Sequence, residues 1–524
     1  MELNIRRKIF ASLYIIFLVL SGCRTDSTKD KIFIDNGMIS LGFDARTGAL
    51  TDFNDHNSSY NMLDGNALHG SPWEIEFARP EEPLIDINSA LKFTFSKPGP
   101  SVLELKWKKF AEPDDKMEVV ATVTLDSASP VSFWKISVRN PGNQMRQIIY
   151  PRIAGIRKAD NEFLAVPQWM GQVMKDPRGN LSSIKGSIRK YEWAYPGLSM
   201  QCITIYDPAV YGFYAACNDT LVYNKNFSVS VDSAGSLVYG MHNLPGSDPV
   251  TGIYEPAYSG VIGSFRGDWI TAAEMYREWA EEQRWTRESR FLKGLTPEWL
   301  ESTALWEWNR GKSSNVLTPA GDLQKRLGLP VSVFWHWWHG CSYDDGFPEY
   351  VPPREGRESF IRAVSEAGHQ GIRAIVYMNQ RLWGTTTESW KKENAQVYAV
   401  KDQNGEINTH VYNIFSNRPT ASMCLATDFW KHKYASLCDS AVNTYMANGV
   451  YMDQACLALS CYDRDHGHPP GPGKYWFENF NILSDMIRQK INSDRHPVLA
   501  GEGAGEAWLP HLDLFLTLAV SRER

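Results

Sequence analysis

Two acidic residues close short apolar runs: Asp453 ends Val450-Tyr451-Met452-Asp453, and Glu502 ends Val498-Leu499-Ala500-Gly501-Glu502. A carboxylate at the end of each of two neighbouring parallel strands faces one opening. Cleavage of a glycosidic bond needs such a pair, one group to attack the anomeric carbon or activate water and one to protonate the leaving oxygen. Asp453 is the nucleophile candidate because it directly follows an apolar run. Glu502 is the acid/base candidate, with Glu506 as a substitute a few residues further into the loop. The competing role for Asp453 is structural, as a helix N-cap or a loop-fixing acceptor.

Other strand ends carry groups suited to a sugar. Trp306, Trp308, Trp335 and Trp337 offer flat apolar faces with one polar N–H each, which suits stacking on pyranose rings as well as core packing. His336, His339, Asp344, Asp345, Asn379, Gln380 and Gln454 could bind hydroxyls. Strand alternation places His336 and Trp338 on one face and Trp335 and Trp337 on the other, so only some indoles can line a pocket. His466 and His468 sit in a Gly/Pro-rich loop, 461–473, expected to cover the opening and reach substrate. The three-residue spacing of His336 and His339 puts them on opposite faces of a strand, which argues against a metal pair. A metal-dependent hydrolase would need His336, His339, His466 or His468 to converge with a carboxylate. No G-x-G-x-x-G or P-loop stretch opens a helix. Neither metal nor cofactor is expected.

These residues must be positioned by strands. Candidates lie at 303–308, 331–337, 373–378, 450–453, 498–500 and 512–518. Between them, Phe360, Val364 and Ala367 mark an amphipathic helix ending at Gly368, and Asp428 as N-cap starts another that runs to Gly449. Phe480, Leu483, Ile487 and Ile491 mark a third. Strand–helix repetition at this pitch favours a (β/α)8-type TIM barrel over a doubly wound sheet. Six units occupy about 220 residues, so a barrel of eight is expected to be incomplete at the C-terminus. Upstream, period-2 patterns at Leu103, Leu105 and Trp107, at Met117 to Leu125, and at Trp134, Ile136 and Val138 predict antiparallel strands. The predicted organisation is a β-sandwich (supersandwich-like) over 24–266, a helical connector over 267–300 with Asp268 as N-cap, and the barrel over 301–524.

The 524 residues include 54 Lys+Arg and 60 Asp+Glu, a net charge of −6. No basic excess exists to neutralise phosphates, which excludes a nucleic-acid partner. Residues 1–23 read as an export signal: Arg6, Arg7 and Lys8, then an apolar stretch, then Leu20-Ser21-Gly22-Cys23, the form of a bacterial lipobox. Lipidation of Cys23 would tether the protein to the cell envelope, periplasmic or surface-facing. Seven scattered cysteines follow and read as buried free thiols. No obligate protein partner is evident.

Three segments together resemble a known group: Tyr451-Met452-Asp453-Gln454, Asp344-Asp345-Gly346-Phe347-Pro348-Glu349-Tyr350, and His466-Gly467-His468-Pro469. They look like an uncharacterised family of bacterial lipoproteins that couples a β-sandwich to a glycosidase-type TIM barrel. More distantly, the chain is similar to endo-α-N-acetylgalactosaminidases and α-galactosidase-like retaining glycosidases. The resemblance implies an Asp nucleophile at the end of the fourth strand, which maps onto Asp453, and an acid/base Glu on the next strand, which maps onto Glu502. The expected function is hydrolysis of an α-linked glycan with retention. The alternative is a glycan-binding lipoprotein whose barrel has lost catalysis, by truncation or otherwise.

Overall fold

A computed structural model describes residues 30–64, 70–111, 115–182, 190–246, 252–341, 345–491 and 494–518. The lipobox with Cys23, and Asp344, lie outside the described residues.

The first half is antiparallel sheet. One large sheet runs from Ala90–Gly99 through Val102–Phe110, Glu118–Leu125 and Val131–Arg139 to Gly260–Phe265 and Tyr211–Cys217, and on to Cys202–Asp207, Phe163–Val166 and Gln172–Lys175. A second, six-stranded sheet is centred on Met145–Ile156 and Leu237–Asn243, and a four-stranded meander spans 31–61. The predicted alternation holds: Leu103, Leu105 and Trp107 are buried while Glu104 and Lys106 are not. Aromatic pairs join the sheets, with Phe213 against Tyr239 (5.7 Å), Trp134 against Tyr150 (5.9 Å) and Phe43 against Trp134 (6.1 Å). Fully buried aromatics of this size dominate the energetics of such a core.

Helix α1 (Trp269–Ala280) starts where the strand pattern stops. The Asp268 carboxylate accepts the Ile270 N–H and caps it. Beyond it lie six parallel strands: β1 (Leu305–Arg310), β2 (Val331–His336), β3 (Arg373–Asn379), β4 (Gly449–Asp453), β5 (Val498–Glu502) and β6 (Leu514–Leu516). Helices α2 (Ser313–Leu327), α3 (Arg357–His369), α4 (Asp428–Asp439) and α5 (Tyr475–Ile491) follow β1, β2, β3 and β4. Spatial order equals chain order. Right-handed crossovers that always step the same way leave their helices on one face, so the sheet curls with its other face inward. Contact between β4 and β5 is close: a Cβ at Gly449 would lie 2.3 Å from the Val498 carbonyl oxygen. The N-cap of α4 is Thr427, and Asp428 belongs to its first turn. A small sheet, Leu382–Gly384, Thr420–Ser422 and Thr409–His410, inserts between β3 and α4.

Buried ion pairs brace each half from within. Asp513, just before β6 and with its side chain fully buried, accepts from Arg290 of the connector, from Arg488 of α5 (2.6 Å) and from the Leu499 N–H (2.8 Å). Lys225 is buried against Asp219 at 2.6 Å in the antiparallel half. All seven described cysteines are buried and free. Among the described residues no helix is long and apolar enough to cross a membrane.

Candidate active site

The register aligns the C-terminal ends of β3, β4 and β5. Asn379 pairs with Asp453, and Met452 pairs with Gly501, so Asp453 and Glu502 follow side by side. One step back on the same inward face lie Tyr377 and Tyr451, paired across the two strands, with His336 of β2 ring-to-ring against Tyr377 at 4.1 Å. The polar upper row thus rests on an aromatic floor.

Asp453 and Glu502 are partly exposed, and each carboxyl lies close enough to act on the other's charge. Asp453 Oδ2 also accepts from Tyr377 Oη (2.8 Å) and Asn379 Nδ2 (2.6 Å). Asn379 is locked in turn, because its Oδ1 accepts the N–H groups of Arg381 and Leu382. Packing disfavours both charges and raises the Asp453 carboxyl, against the pull of its Tyr377 and Asn379 donors. Glu502 is pushed up to about 8, first by burial and then by the Asp453 charge beside it. The two therefore titrate as a pair that shares a proton, favoured on Glu502 by the Asp453 charge beside it.

A second tier fixes this pair. The Gln454 N–H donates to Glu502 Oε2 (3.2 Å) from a left-handed backbone conformation (φ 61°), and the Gln454 side chain accepts from Arg381 Nε (2.7 Å) and donates to Tyr412 Oη (3.2 Å). Arg381 lies close enough to favour the charged forms of both carboxyls. Arg381 and Tyr412 are functional-site neighbours that the sequence pattern does not single out. Arg381 stands two residues beyond Asn379 and was legible as a strand-end cation, whereas nothing in the Tyr412 segment marks it.

The remaining candidates scatter. His336 faces inward between Trp308 and Tyr377, with its ring pushed down to about 4 by burial, so it is neutral. Trp308 is largely exposed, and the Arg310 guanidinium lies between its ring and that of Trp337, at 5.4 and 4.7 Å. Trp306 packs against Trp299 of the connector, further back along β1. Trp335 does not line the opening: it is buried, stacked on Phe360 of α3. Trp338 touches the same Phe360, so the expected alternation past His336 fails. Trp337 takes φ 52°, which ends the strand and turns the chain over.

His339 is fully buried, with Nδ1 2.9 Å from Cys341 Sγ, and is not presented to a ligand. Asp345 and the Gln380 side chain are buried, and their polar side-chain atoms have no partner among the described residues. Glu506 is taken out of the site. It is buried at the seam with the antiparallel half, where its carboxylate accepts from Tyr276 (2.9 Å), Tyr195 (3.2 Å) and Gln201 (3.3 Å). A short helical turn, Glu506–Trp508, aims it there. His466 and His468 are likewise buried, beside Cys461 and Cys424, and do not reach an opening.

A curled parallel sheet preceded by large antiparallel sheets is a fold shared with solved glycosidases. The α-N-acetylgalactosaminidase NagBb of Bifidobacterium bifidum, solved with GalNAc, superposes with a TM-score of 0.70 at 12% identity, over 92% of this chain and 78% of that one. The GH36 α-galactosidase AgaA of Geobacillus stearothermophilus gives 0.51 at 10% identity, over 94% and 75%. At these identities the likeness is one of fold.

A family model described as a domain of unknown function (DUF6259) matches residues 254–524, and the chain belongs to that family. A Bacteroides thetaiotaomicron protein named "Putative glycoside hydrolase" is 27% identical over 261 residues, 49% of this chain and 38% of that protein. A Monosiga brevicollis protein with a similar name is 26% identical over 341 residues, 59% of this chain and 28% of its own length. The matched part is thus well under half of either relative. The chain is distantly similar to these glycosidases.

Proposed function

We propose that this protein hydrolyses an α-linked glycan with retention of configuration, Asp453 acting as nucleophile and Glu502 as acid and then base. The observation that carries this reading is the pair of electrostatically coupled carboxyls at adjacent strand ends. Retaining enzymes hold their two carboxyls about 5–5.5 Å apart and inverting ones about 6.5–9.5 Å, and carboxyls on adjacent strand ends, close enough to couple, favour the shorter class. A sugar entering the opening separates the pair and takes the Glu502 proton at its glycosidic oxygen, while ionised Asp453 attacks the anomeric carbon. Glu502 then activates the water that releases the sugar. Trp308 and Trp337 supply aromatic faces, and unpartnered Asp345 and Gln380 supply buried hydrogen-bonding atoms that a sugar's hydroxyls would satisfy.

The fold likeness to an α-N-acetylgalactosaminidase and an α-galactosidase makes aryl α-N-acetylgalactosaminide and α-galactoside the first probes. On this reading the curled sheet is six strands of a (β/α)8-type barrel behind a β-sandwich, and the lipobox tethers the protein by Cys23. The expected result is hydrolysis of one α-glycoside with an α-configured first product, abolished by Asp453→Asn while glycan binding persists. Hydrolysis that survives Asp453→Asn would remove Asp453 from the nucleophile's role. Glycan binding without turnover by wild type across a panel of α- and β-glycosides would establish the non-catalytic alternative.

A further inference from the structure

The loop after β4 meets Cys424, from just before α4, in a second cluster made of residues that the hydrolytic site does not use. Cys424, Cys461, His466 and His468 are all buried, and their ligand atoms lie within 4.8 Å of one another. Cys424 Sγ is 3.4 Å from His468 Nε2, and Cys461 Sγ is 3.4 Å from His466 Nδ1. In a tetrahedral zinc site with bonds of about 2.3 Å to sulfur and about 2.0 Å to nitrogen, neighbouring sulfur and nitrogen ligands stand about 3.5 Å apart.

The outer nitrogens are already committed. His466 Nε2 lies 2.8 Å from the Val397 carbonyl, and His468 Nδ1 lies 2.8 Å from the Pro469 carbonyl. Donation to those carbonyls fixes the tautomer of each ring and leaves the inward nitrogen as a bare lone pair directed at the thiols, the support that metal-bound histidines usually have. His468 is further clamped by stacking on Tyr475 (3.8 Å, 7°), whose hydroxyl accepts the Cys461 N–H at 2.7 Å. Two separate thiol–imidazole hydrogen bonds would not need all four groups to meet at one point.

We propose that Cys424, Cys461, His466 and His468 form a closed, tetrahedral zinc site. Two sulfur and two nitrogen donors suit zinc over magnesium or calcium, and four protein ligands leave no position for a reactive water, so the site is structural. It fastens three chain segments: the stretch after Thr420–Ser422, the loop following β4, and, through Val397, the segment between Leu382–Gly384 and Thr409–His410. The Tyr462 N–H to Lys401 carbonyl bond (2.9 Å) and the Lys401–Asp463 ion pair run alongside. The same loop begins with Gln454, so the metal anchors the far end of the segment that braces Glu502.

The test is elemental analysis of the full chain purified without added metal, with about one zinc per chain expected after dialysis. Exchange for Co(II) should give the intense visible bands of tetrahedral cobalt with a thiolate charge-transfer band. The Cys424→Ser/Cys461→Ser double variant should lose at least about tenfold of the bound metal. His468→Cys, which keeps four ligands, should retain it. Chelation of wild type should lower Tm, with recovery on zinc but not magnesium. Wild type that holds no stoichiometric metal and gives no tetrahedral cobalt spectrum overturns the proposal, whatever the fate of the variants. A Cys424–Cys461 disulfide in the unreduced protein, or stoichiometric iron or copper in place of zinc, overturns it as well. None of these readouts depends on glycoside turnover.

Discussion

Replacing Asp453 by Asn should move a proton that belongs to a different residue. In the wild type Glu502 holds its proton up to about 8, through packing and through the Asp453 charge beside it. The substitution removes the second cause and leaves the first. Two unit charges about 4 Å apart interact by about 4 kcal/mol at an effective dielectric of 20 and about 1 kcal/mol in bulk water. The opening is partly exposed, so the true value lies between these limits. At 1.36 kcal/mol per pH unit, Glu502 should titrate about 1–3 units lower in Asp453→Asn. It should still stay above an ordinary Glu, because the packing is unchanged. Infrared difference titration of the protonated carboxyl band, assigned with Glu502→Gln, reads this without any substrate. A Glu502 that still titrates near 8 in Asp453→Asn, or higher, would show that the two carboxyls do not share a proton and would refute the assignment of acid and nucleophile.

Four further outcomes follow from the same geometry. Glu502→Gln should lower kcat/KM on a glycoside with a poor leaving group by about 10²–10⁴-fold and abolish the alkaline limb of the pH profile near 8, with aryl glycosides of good leaving groups much less affected. Tyr377→Phe and Asn379→Ala each remove a hydrogen bond to ionised Asp453, worth about 1.5–3 kcal/mol, and should cost about 10–150-fold in kcat/KM at similar KM. Glu506 is raised to about 7 by burial, so its folded form penalises ionisation. The stability it contributes is full below about 4.5 and is lost as pH rises through 7. Denaturant titrations should show Glu506→Gln abolishing a fall of about 3 kcal/mol over that window. Asp513→Ala leaves Arg290 and Arg488 without their shared buried partner and should cost about 3–5 kcal/mol in equilibrium unfolding.

Much of this arrangement is legible in the sequence. All six parallel strands fall where apolar runs meet polar strand ends, and Asp453 and Glu502 stand in register because each closes such a run. Periodicity reports local conformation well while the chain stays regular. It fails where a residue leaves the regular region: Trp337, at positive φ, sends Trp338 to the same Phe360 as Trp335. Glu506 looks equivalent to Glu502 in composition, yet a single helical turn aims it at Tyr195 and Tyr276, more than two hundred positions upstream. That is long-range information, and no spacing rule contains it. His466 and His468 were legible as a loop pair, but their partner Cys424 lies 44 and 42 positions away in sequence from His468 and His466, and only the fold makes it a neighbour.

The Glu506 seam has a consequence for how the molecule is inherited and handled as a unit. The family-matched segment starts at residue 254, yet the carboxylate near its end is satisfied by Tyr195 and Gln201, and its Glu506 N–H by the Ser199 carbonyl at 3.0 Å. A piece cut at the family boundary would keep the Tyr276 donor and lose the others, which leaves a buried acid short of partners. The recognisable module should therefore be destabilised when it is cut at that boundary. Calorimetry of the full chain should show the parallel half and the strand bearing Tyr195 melting in one cooperative transition. Transfer of the module to another protein would succeed only if that strand travels with it.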